Sequence, residues 1–174
     1  MPLSRAVFLD RDGVLTRERP DYVKTPKELE VLPNIGGPLR EIQKREFRII
    51  IVTNQSVVGR GLTTHLEMSK MHEKLRRELS RLGITIDGIY YCPHRPDEGC
   101  DCRKPQPGLI LKAATELGID KKRSWMIGDK EIDLEAARRA GCRGIRIPTN
   151  GNGLEEAVRR IALEEDGSHV VGSS

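Results

Sequence analysis

Short apolar runs alternate with longer stretches of helical spacing along the 174-residue chain. Ala6-Val7-Phe8-Leu9 has the length and composition of a buried strand. Arg48 to Val52 sets three isoleucines and a valine in succession, the pattern of a parallel strand covered on both faces. Ile86 to Tyr91, Ser124 to Ile127 and Arg143 to Ile147 read as three further strands. Between them, Ile35, Leu39 and Ile42 predict a helix over 35–46 with Phe47 on the same side. Thr64 followed by Glu67 predicts a capping box, and Met68, Met71, Leu75, Leu79 and Leu82 form the stripe of the helix it opens, which stops at Gly83. Pro107 suits the first position of a helix carrying Leu109, Ile110, Ala113, Ala114 and Leu117, ended by Gly118. Glu131 to Ala140 is closed by Gly141, and a last helix is expected over 154–165. Strands joined by crossover helices define a doubly wound, mostly parallel, Rossmann-like α/β sheet. One domain is expected over residues 1–166, with 167–174 a flexible tail.

Composition narrows the function classes. No apolar run approaches the ~20 residues that span a bilayer, so no membrane partner is expected. Aromatic residues are 3% of the chain and the net charge is only +4, which argues against nucleic acid as a partner. The opening MPLSRAVFLD lacks the features of a secretion signal, and the expected location is cytoplasmic. Persistent disulfides are rare there, so clustered cysteines point to metal. No exposed apolar stripe demands a partner, and a monomer is expected.

In doubly wound sheets ligands sit beyond the carboxyl ends of the strands. The first strand runs into Asp10-Arg11-Asp12-Gly13 and the second into Thr53-Asn54-Gln55-Ser56. The third leads to Arg103-Lys104-Pro105, and the fourth to Gly128-Asp129-Lys130 with Asp133 a turn later. Each has a plain local explanation, since Asp-Gly makes turns and Thr-Asn caps helices. Their recurrence at successive strand ends is not explained by turns. Together they suit phosphoryl transfer. Asp10 and Asp129 can hold Mg²⁺, a hard cation that takes oxygen ligands. Lys104 offsets the repulsion between a carboxylate and a phosphate. Thr53 and the N–H groups after it, at a helix start, can cradle phosphate oxygens. Asp12 can protonate a leaving alkoxide and then activate water, while a carboxylate nucleophile divides the reaction through an aspartyl-phosphate.

The stretch CPHRPDEGCDCRK concentrates the sulfur of the chain. Cys92-x-His94 and Cys100-x-Cys102 each present two ligands on one side of an extended segment. Three thiolates and an imidazole suit tetrahedral Zn²⁺ and leave no position open for water, so the loop 92–102 reads as a structural zinc site. A redox pair or idle thiols are the alternatives. Cys142 reads as an ordinary buried cysteine.

The series DRDG, a hydrophobic run ending in TN, a lysine, and GDxxxD resembles the haloacid dehalogenase superfamily of phosphatases. That resemblance implies Asp10 as nucleophile, Asp12 as general acid and base, and Mg²⁺ held by the Asp10 and Asp129 side chains and the Asp12 carbonyl. Asp133 then orients the site without touching the metal. The spacings from Asp12 to Thr53 and from Thr53 to Lys104 leave no room for a large cap domain. The runs DGIYYCPH and CDCRKP, with TNQS and the GRG at 59–61, look like the heptose 1,7-bisphosphate 7-phosphatases and the related histidinol-phosphate phosphatases, which share the zinc loop. This closer resemblance implies that Arg103 contacts substrate beside Lys104 and that Arg19, Pro20, Asp21 and Tyr22 lie over the pocket. Thr53, Asn54, Gln55 and Ser56 line it, and Arg103, Arg60, Arg19 and Lys130 are candidates for a second phosphate. Val57-Val58 after TNQS and Val-Leu-Thr after DRDG depart from the usual pattern beside the substrate pocket.

The expectation is a Mg²⁺-dependent, zinc-stabilised phosphatase acting on a small-molecule sugar phosphate, with heptose 1,7-bisphosphate as leading substrate. Histidinol phosphate is the alternative, and its ammonium calls for an acid such as Glu18 or Asp21 at the pocket mouth. The rival from another class is a non-catalytic zinc-containing binding module.

Overall fold

The computed structural model describes residues 2–170. Five strands form one parallel sheet: β1 (Arg5–Leu9), β2 (Phe47–Asn54), β3 (Gly88–Cys92), β4 (Trp125–Gly128) and β5 (Arg143–Arg146). Their spatial order is β3-β2-β1-β4-β5. The chain therefore winds outward from β1 in one direction and then in the other, which opens a crevice beyond the carboxyl ends of β1 and β4.

The continuous apolar strands are explained by burial on both faces. Val7, Leu9, Ile49 and Ile51 face one core with α1 (Gly36–Lys44), α3 (His65–Arg81) and α6 (Gly153–Val170). Ala6, Phe8, Ile50 and Val52 face a second core with α4 (Gly108–Leu117) and α5 (Glu131–Ala140). Successive side chains of a strand point to opposite faces, so an alternating pattern would have left one layer uncovered. The result is a three-layer α/β/α arrangement without a large cap.

The predicted punctuation holds at most boundaries. Thr64 Oγ1 accepts from the Glu67 N–H at 3.1 Å, the half of the predicted capping box that forms while the Glu67 carboxylate accepts from Lys70, and Met68, Met71, Leu75 and Leu79 are buried. Gly118 and Gly141 adopt left-handed conformations (φ +63° and +88°) where α4 and α5 end. Several boundaries move, among them the start of β3, at Gly88 and not Ile86, and the start of α4, at Gly108 with Pro107 as its N-cap. Phe47 begins β2 and does not belong to the preceding helix, because Glu46 turns the chain with φ +62°. Leu82 falls outside α3 and is 41% exposed. The last helix continues past Glu165 to Val170, and residues 171–174 of the expected tail lie outside the described residues. A one-turn helix, α2 (Ser56–Gly59), follows β2 and carried no periodic signal because it is too short to show one. Among the described residues no helix is long and apolar enough to cross a membrane.

Candidate active site

The Asp10 N–H donates to the Ile127 carbonyl at 3.1 Å, which carries the β1–β4 pairing to the first residue beyond the strand. The chain then folds back on itself, with the Arg11 carbonyl accepting from the N–H groups of Leu15 and Thr16 at 2.9 and 3.0 Å. Gly13 makes that turn at φ +90°, and a Cβ there would lie 2.4 Å from Asp129 Oδ2. Gly128 is equally constrained, since its Cβ would lie 2.2 Å from that of Asp133. The two motif glycines thus let acidic side chains approach a turning backbone.

Around them the predicted groups converge. Lys104 Nζ lies 3.1 Å from Asp10 Oδ1 and 2.7 Å from Asp133 Oδ1, and donates to the Val52 carbonyl at 2.8 Å. Carboxylate oxygens of Asp10, Asp129 and Asp133 all lie within 4.8 Å of one another. Burial raises the Asp10 pKa to about 7; Lys104 pulls it down, and Asp133, Asp12 and Asp129 push it up. Burial disfavours the Lys104 ammonium, but Asp10 and Asp133 outweigh it and hold Lys104 above its usual range. Asp129 Oδ2 accepts from Thr149 Oγ1 at 2.8 Å, whereas its buried Oδ1 has no hydrogen-bond partner. A buried carboxylate oxygen without a partner is costly. Three acids around one lysine leave a local excess of negative charge, and together with that orphaned oxygen they fit a hard divalent cation. Asp133 accepts the Lys130 N–H at 3.1 Å through Oδ2, while its Oδ1 is ion-paired with Lys104 without an aligned hydrogen bond.

Asp12 is held differently. Its Oδ1 accepts from Arg11 Nε and Thr16 Oγ1, each at 2.9 Å, and its Oδ2 from Arg11 Nη2 and Gln55 Nε2, each at 2.9 Å. Partial burial raises its pKa, but the Arg11 charge and these hydrogen bonds prevail and hold the carboxyl below its usual range. Gln55 Nε2 also reaches Thr53 Oγ1 at 2.9 Å and so links the ends of β1 and β2.

Asp10, Asp12, Thr53, Gln55 and Lys104 form the floor of a cavity of about 610 Å³ whose wall includes Arg19, Pro20, Tyr22, Asn54, Ser56, Arg103 and Lys130, while Asp129 and Asp133 do not line it. Two predicted contact residues do not line it: the Asp21 carboxylate turns to Arg19 and Lys24, and the Arg60 side chain turns to Ser56 Oγ, at 3.3 Å, and the Tyr22 ring. Lys130 is ion-paired with Glu18 at the rim. Both polar atoms of the Asn54 amide are spent on the Lys104 backbone, at 2.9 and 3.1 Å. Val57, one of the unusual residues after TNQS, also lines the cavity. The sequence reading missed Thr149 and Asn150, which follow β5. Asn150 binds the Glu18 backbone at 2.7 and 3.2 Å, and the strand-end rule applied to the fifth strand points to both.

The cysteine loop closes on itself beside this wall. Cys92 Sγ lies 3.3 Å from His94 Nδ1 and 3.5 Å from Cys100 Sγ, and His94 Nδ1 lies 3.2 Å from Cys102 Sγ. A tetrahedral zinc ion with bonds of about 2.0–2.3 Å spaces its ligands roughly 3.3–3.8 Å apart. The four atoms have close to that spacing, and their chemistry fits a metal. Burial pushes the Cys92 thiol far up, so a thiolate there needs a cation beside it. The loop is tied to the β2 end by the Gln55 N–H on the Cys92 carbonyl (2.7 Å) and the Gly59 N–H on the Pro93 carbonyl (2.9 Å).

A parallel sheet with an aspartate pair after β1, a lysine facing it and an aspartate after β4 defines a class of phosphatases, and comparison with known proteins agrees. The HAD-hydrolase-like family model matches residues 101–173. The chain is 37% identical over 153 residues to the D-glycero-β-D-manno-heptose-1,7-bisphosphate 7-phosphatase of Pseudomonas aeruginosa, covering 87% of this chain and 85% of that one. It is 41% identical over 138 residues to a probable D-glycero-D-manno-heptose-1,7-bisphosphate 7-phosphatase of Thermoplasma acidophilum, covering 79% and 86%. The crystal structure of the D,D-heptose 1,7-bisphosphate phosphatase of B. bronchiseptica, complexed with magnesium and phosphate, superposes with a TM-score of 0.84 at 31% identity, over 92% of this chain and 99% of that one. The chain belongs to the haloacid dehalogenase-like phosphatases. Within them, the relatives named here are heptose bisphosphate phosphatases.

Proposed function

We propose that the protein hydrolyses the 7-phosphate of D-glycero-D-manno-heptose 1,7-bisphosphate through an aspartyl-phosphate on Asp10. The observation that carries this reading is the buried Lys104 ammonium held between Asp10 and Asp133, at 3.1 and 2.7 Å, on the floor of an open cavity. A carboxylate with a fixed cation beside it can approach a phosphate dianion that would otherwise repel it. Asp10 attacks phosphorus, and the bond to the leaving oxygen breaks as Asp12, whose protonated form the phosphate dianion beside it favours, gives its proton to that oxygen. Asp12 then takes a proton from water, which attacks the phosphorus of the Asp10 ester and regenerates the carboxylate. Thr53, with the backbone that follows it, faces the phosphate oxygens. Asp10, Asp129 and the Asp12 carbonyl would hold Mg²⁺, which when bound offsets phosphate charge. Cys92, His94, Cys100 and Cys102 would hold a structural Zn²⁺ that fixes where Arg103 and Lys104 emerge.

The cavity mouth supports a second phosphate over an ammonium. Glu18 is paired with Lys130, and Asp21 with Arg19 and Lys24, so both acids suited to an amine are engaged. Arg103 lines the cavity, and among the described residues its guanidinium meets only the His94 carbonyl, at 3.4 Å. It is the cation free to receive the phosphate on C1. This reading places the protein in the cytoplasm as a monomeric, single-domain enzyme. The test compares kcat/KM on heptose 1,7-bisphosphate and on histidinol phosphate, with Asp10→Asn as control. The bisphosphate is expected to be strongly preferred and Asp10→Asn to release no phosphate while remaining folded. Preference for histidinol phosphate would overturn the substrate, and an active Asp10→Asn the nucleophile.

A further inference from the structure

Arg11 stands between the two aspartates of the DRDG turn, and its side chain is completely buried. It does not line the cavity. Its guanidinium forks onto Asp12, Nε and Nη2 each giving one carboxylate oxygen a hydrogen bond of 2.9 Å. The third nitrogen, Nη1, points the other way into α3, 3.2 Å from Met68 Sδ and 3.2 Å from His72 Nε2. Arginine only donates, so His72 Nε2 accepts and the ring carries its proton on Nδ1. His72 is itself buried and fixed, edge-on to Tyr91 with ring centroids 5.4 Å apart, and the Tyr91 hydroxyl meets His65 Nδ1 at 2.7 Å. A planar fork bonded at both ends cannot rotate without breaking several contacts at once.

We propose that Arg11 and His72 are positioning residues for Asp12: His72 fixes the guanidinium, and the guanidinium fixes the carboxylate from which the leaving oxygen takes its proton. This rests on the phosphatase reading above and adds to it a line of control reaching from the turn after β1 into α3. Thr16 and Gln55 also bond Asp12, but each does so through a single contact. Only the fork constrains both oxygens and the carboxylate plane together. In the step concerned, a bond forms between Asp10 and phosphorus and the bond from phosphorus to the leaving oxygen breaks. The electron pair goes to that oxygen, and the proton of Asp12 follows. A sugar alkoxide needs that proton, whereas p-nitrophenolate leaves without it.

The experiment measures kcat/KM for His72→Leu, His72→Gln, Arg11→Lys and Asp12→Asn on heptose bisphosphate and on p-nitrophenyl phosphate, in folded, magnesium-loaded protein. This ratio reports the steps up to departure of the leaving group and not hydrolysis of the shared aspartyl-phosphate. General acid–base groups supply about 10²–10⁴-fold, so a mispositioned one should cost His72→Leu about tenfold in kcat/KM on the sugar substrate. Arg11→Lys, which loses the fork, should cost more. Both should lose less than about twofold on p-nitrophenyl phosphate. His72→Gln, which keeps an acceptor for Arg11, should restore most of the difference. If His72→Leu does not fold, Arg11→Lys carries the same comparison. Equal loss on both substrates, or no loss on either, overturns the proposal when Asp12→Asn itself discriminates between them. If Asp12→Asn slows both substrates equally, the acid–base reading of Asp12 falls and this proposal falls with it.

Discussion

Asp133 Oδ1 stands 2.7 Å from the Lys104 ammonium, with the two side chains 1% and 2% exposed. The same carboxylate accepts the Lys130 N–H through its other oxygen, at the start of α5. One acid therefore caps a helix and neutralises a buried cation. Breaking a buried ion pair on one side costs about 3–5 kcal/mol, because the remaining charge has lost its partner. Asp133→Ala should destabilise the protein in urea unfolding by about 3 kcal/mol, the low end of that range, because Lys104 keeps Asp10 at 3.1 Å. Asp133→Asn can still accept from the Lys130 N–H and should cost visibly less. Equal losses in the two variants would mean that the ion pair accounts for the cost and that the helix cap contributes little.

The four ligand atoms of residues 92–102 anchor a segment with little hydrophobic core of its own. Cys102→Ser should lower the bound zinc measured by mass spectrometry. It should also lower stability by at least about 3 kcal/mol, or roughly 6–12 °C in Tm for a chain of this size. Turnover should fall along with the loss of structure, since the loop holds Arg103 and Lys104 in place. If a chelator stops turnover at once while the melting curve is unchanged, the metal is not structural.

The strand-end groups were legible because the fold and the chemistry leave the same trace in sequence. The central strands β1, β2 and β4 carry continuous apolar runs, and each run ends in residues that no core would accept. Asp10, Thr53 and Asp129 could be placed together from that, while Lys104, twelve residues past the end of β3, could be placed by the order of the motifs. Arg11 and His72 could not. Arg11 looks like the variable letter of a turn, and His72 sits on the apolar stripe of α3 between Met71 and Leu75 as a packing residue would. Their partnership depends on how α3 crosses the end of β1, which no local pattern encodes. Asp21 failed for a related reason. Sequence proximity to Arg19 and Tyr22 put it near the cavity, but the local ion pairs with Arg19 and Lys24 decide where its side chain turns.

Burial, and next the charge of Arg11, lower the His72 pKa to about 3. The folded state therefore keeps His72 neutral where the unfolded chain, near 6.5, would take up a proton. The unfolded state binds more protons between these values, so stability is full above pH 6.5 and falls as the pH drops towards 3. At pH 5 the loss from this one group is about 2 kcal/mol. His72→Gln does not titrate and should flatten that part of the acid limb of a stability–pH profile recorded by denaturant unfolding. A profile parallel to that of the parent protein would show that other groups control acid unfolding.

Arg11 and Asp12 also make a prediction about stability that is separate from catalysis. The arginine is fully buried, and Asp12 is the only acid ion-paired with it among the described residues. Asp12→Asn removes that partner while leaving an amide of the same size, so a buried guanidinium loses its counter-charge. The expected cost is about 3 kcal/mol, at the low end for a buried pair because Asp12 is itself 20% exposed. Arg11→Met should be destabilising too, since the carboxylate then keeps only Thr16 and Gln55. The double variant leaves neither charge stranded, and its cost should fall well short of the sum of the two single ones. Strict additivity in a double-mutant cycle would mean that the two side chains are energetically independent despite their geometry. Activity should be low in every variant that lacks Asp12, whatever its stability. A fully folded double variant without turnover therefore separates what the pair does for the fold from what Asp12 does for the reaction.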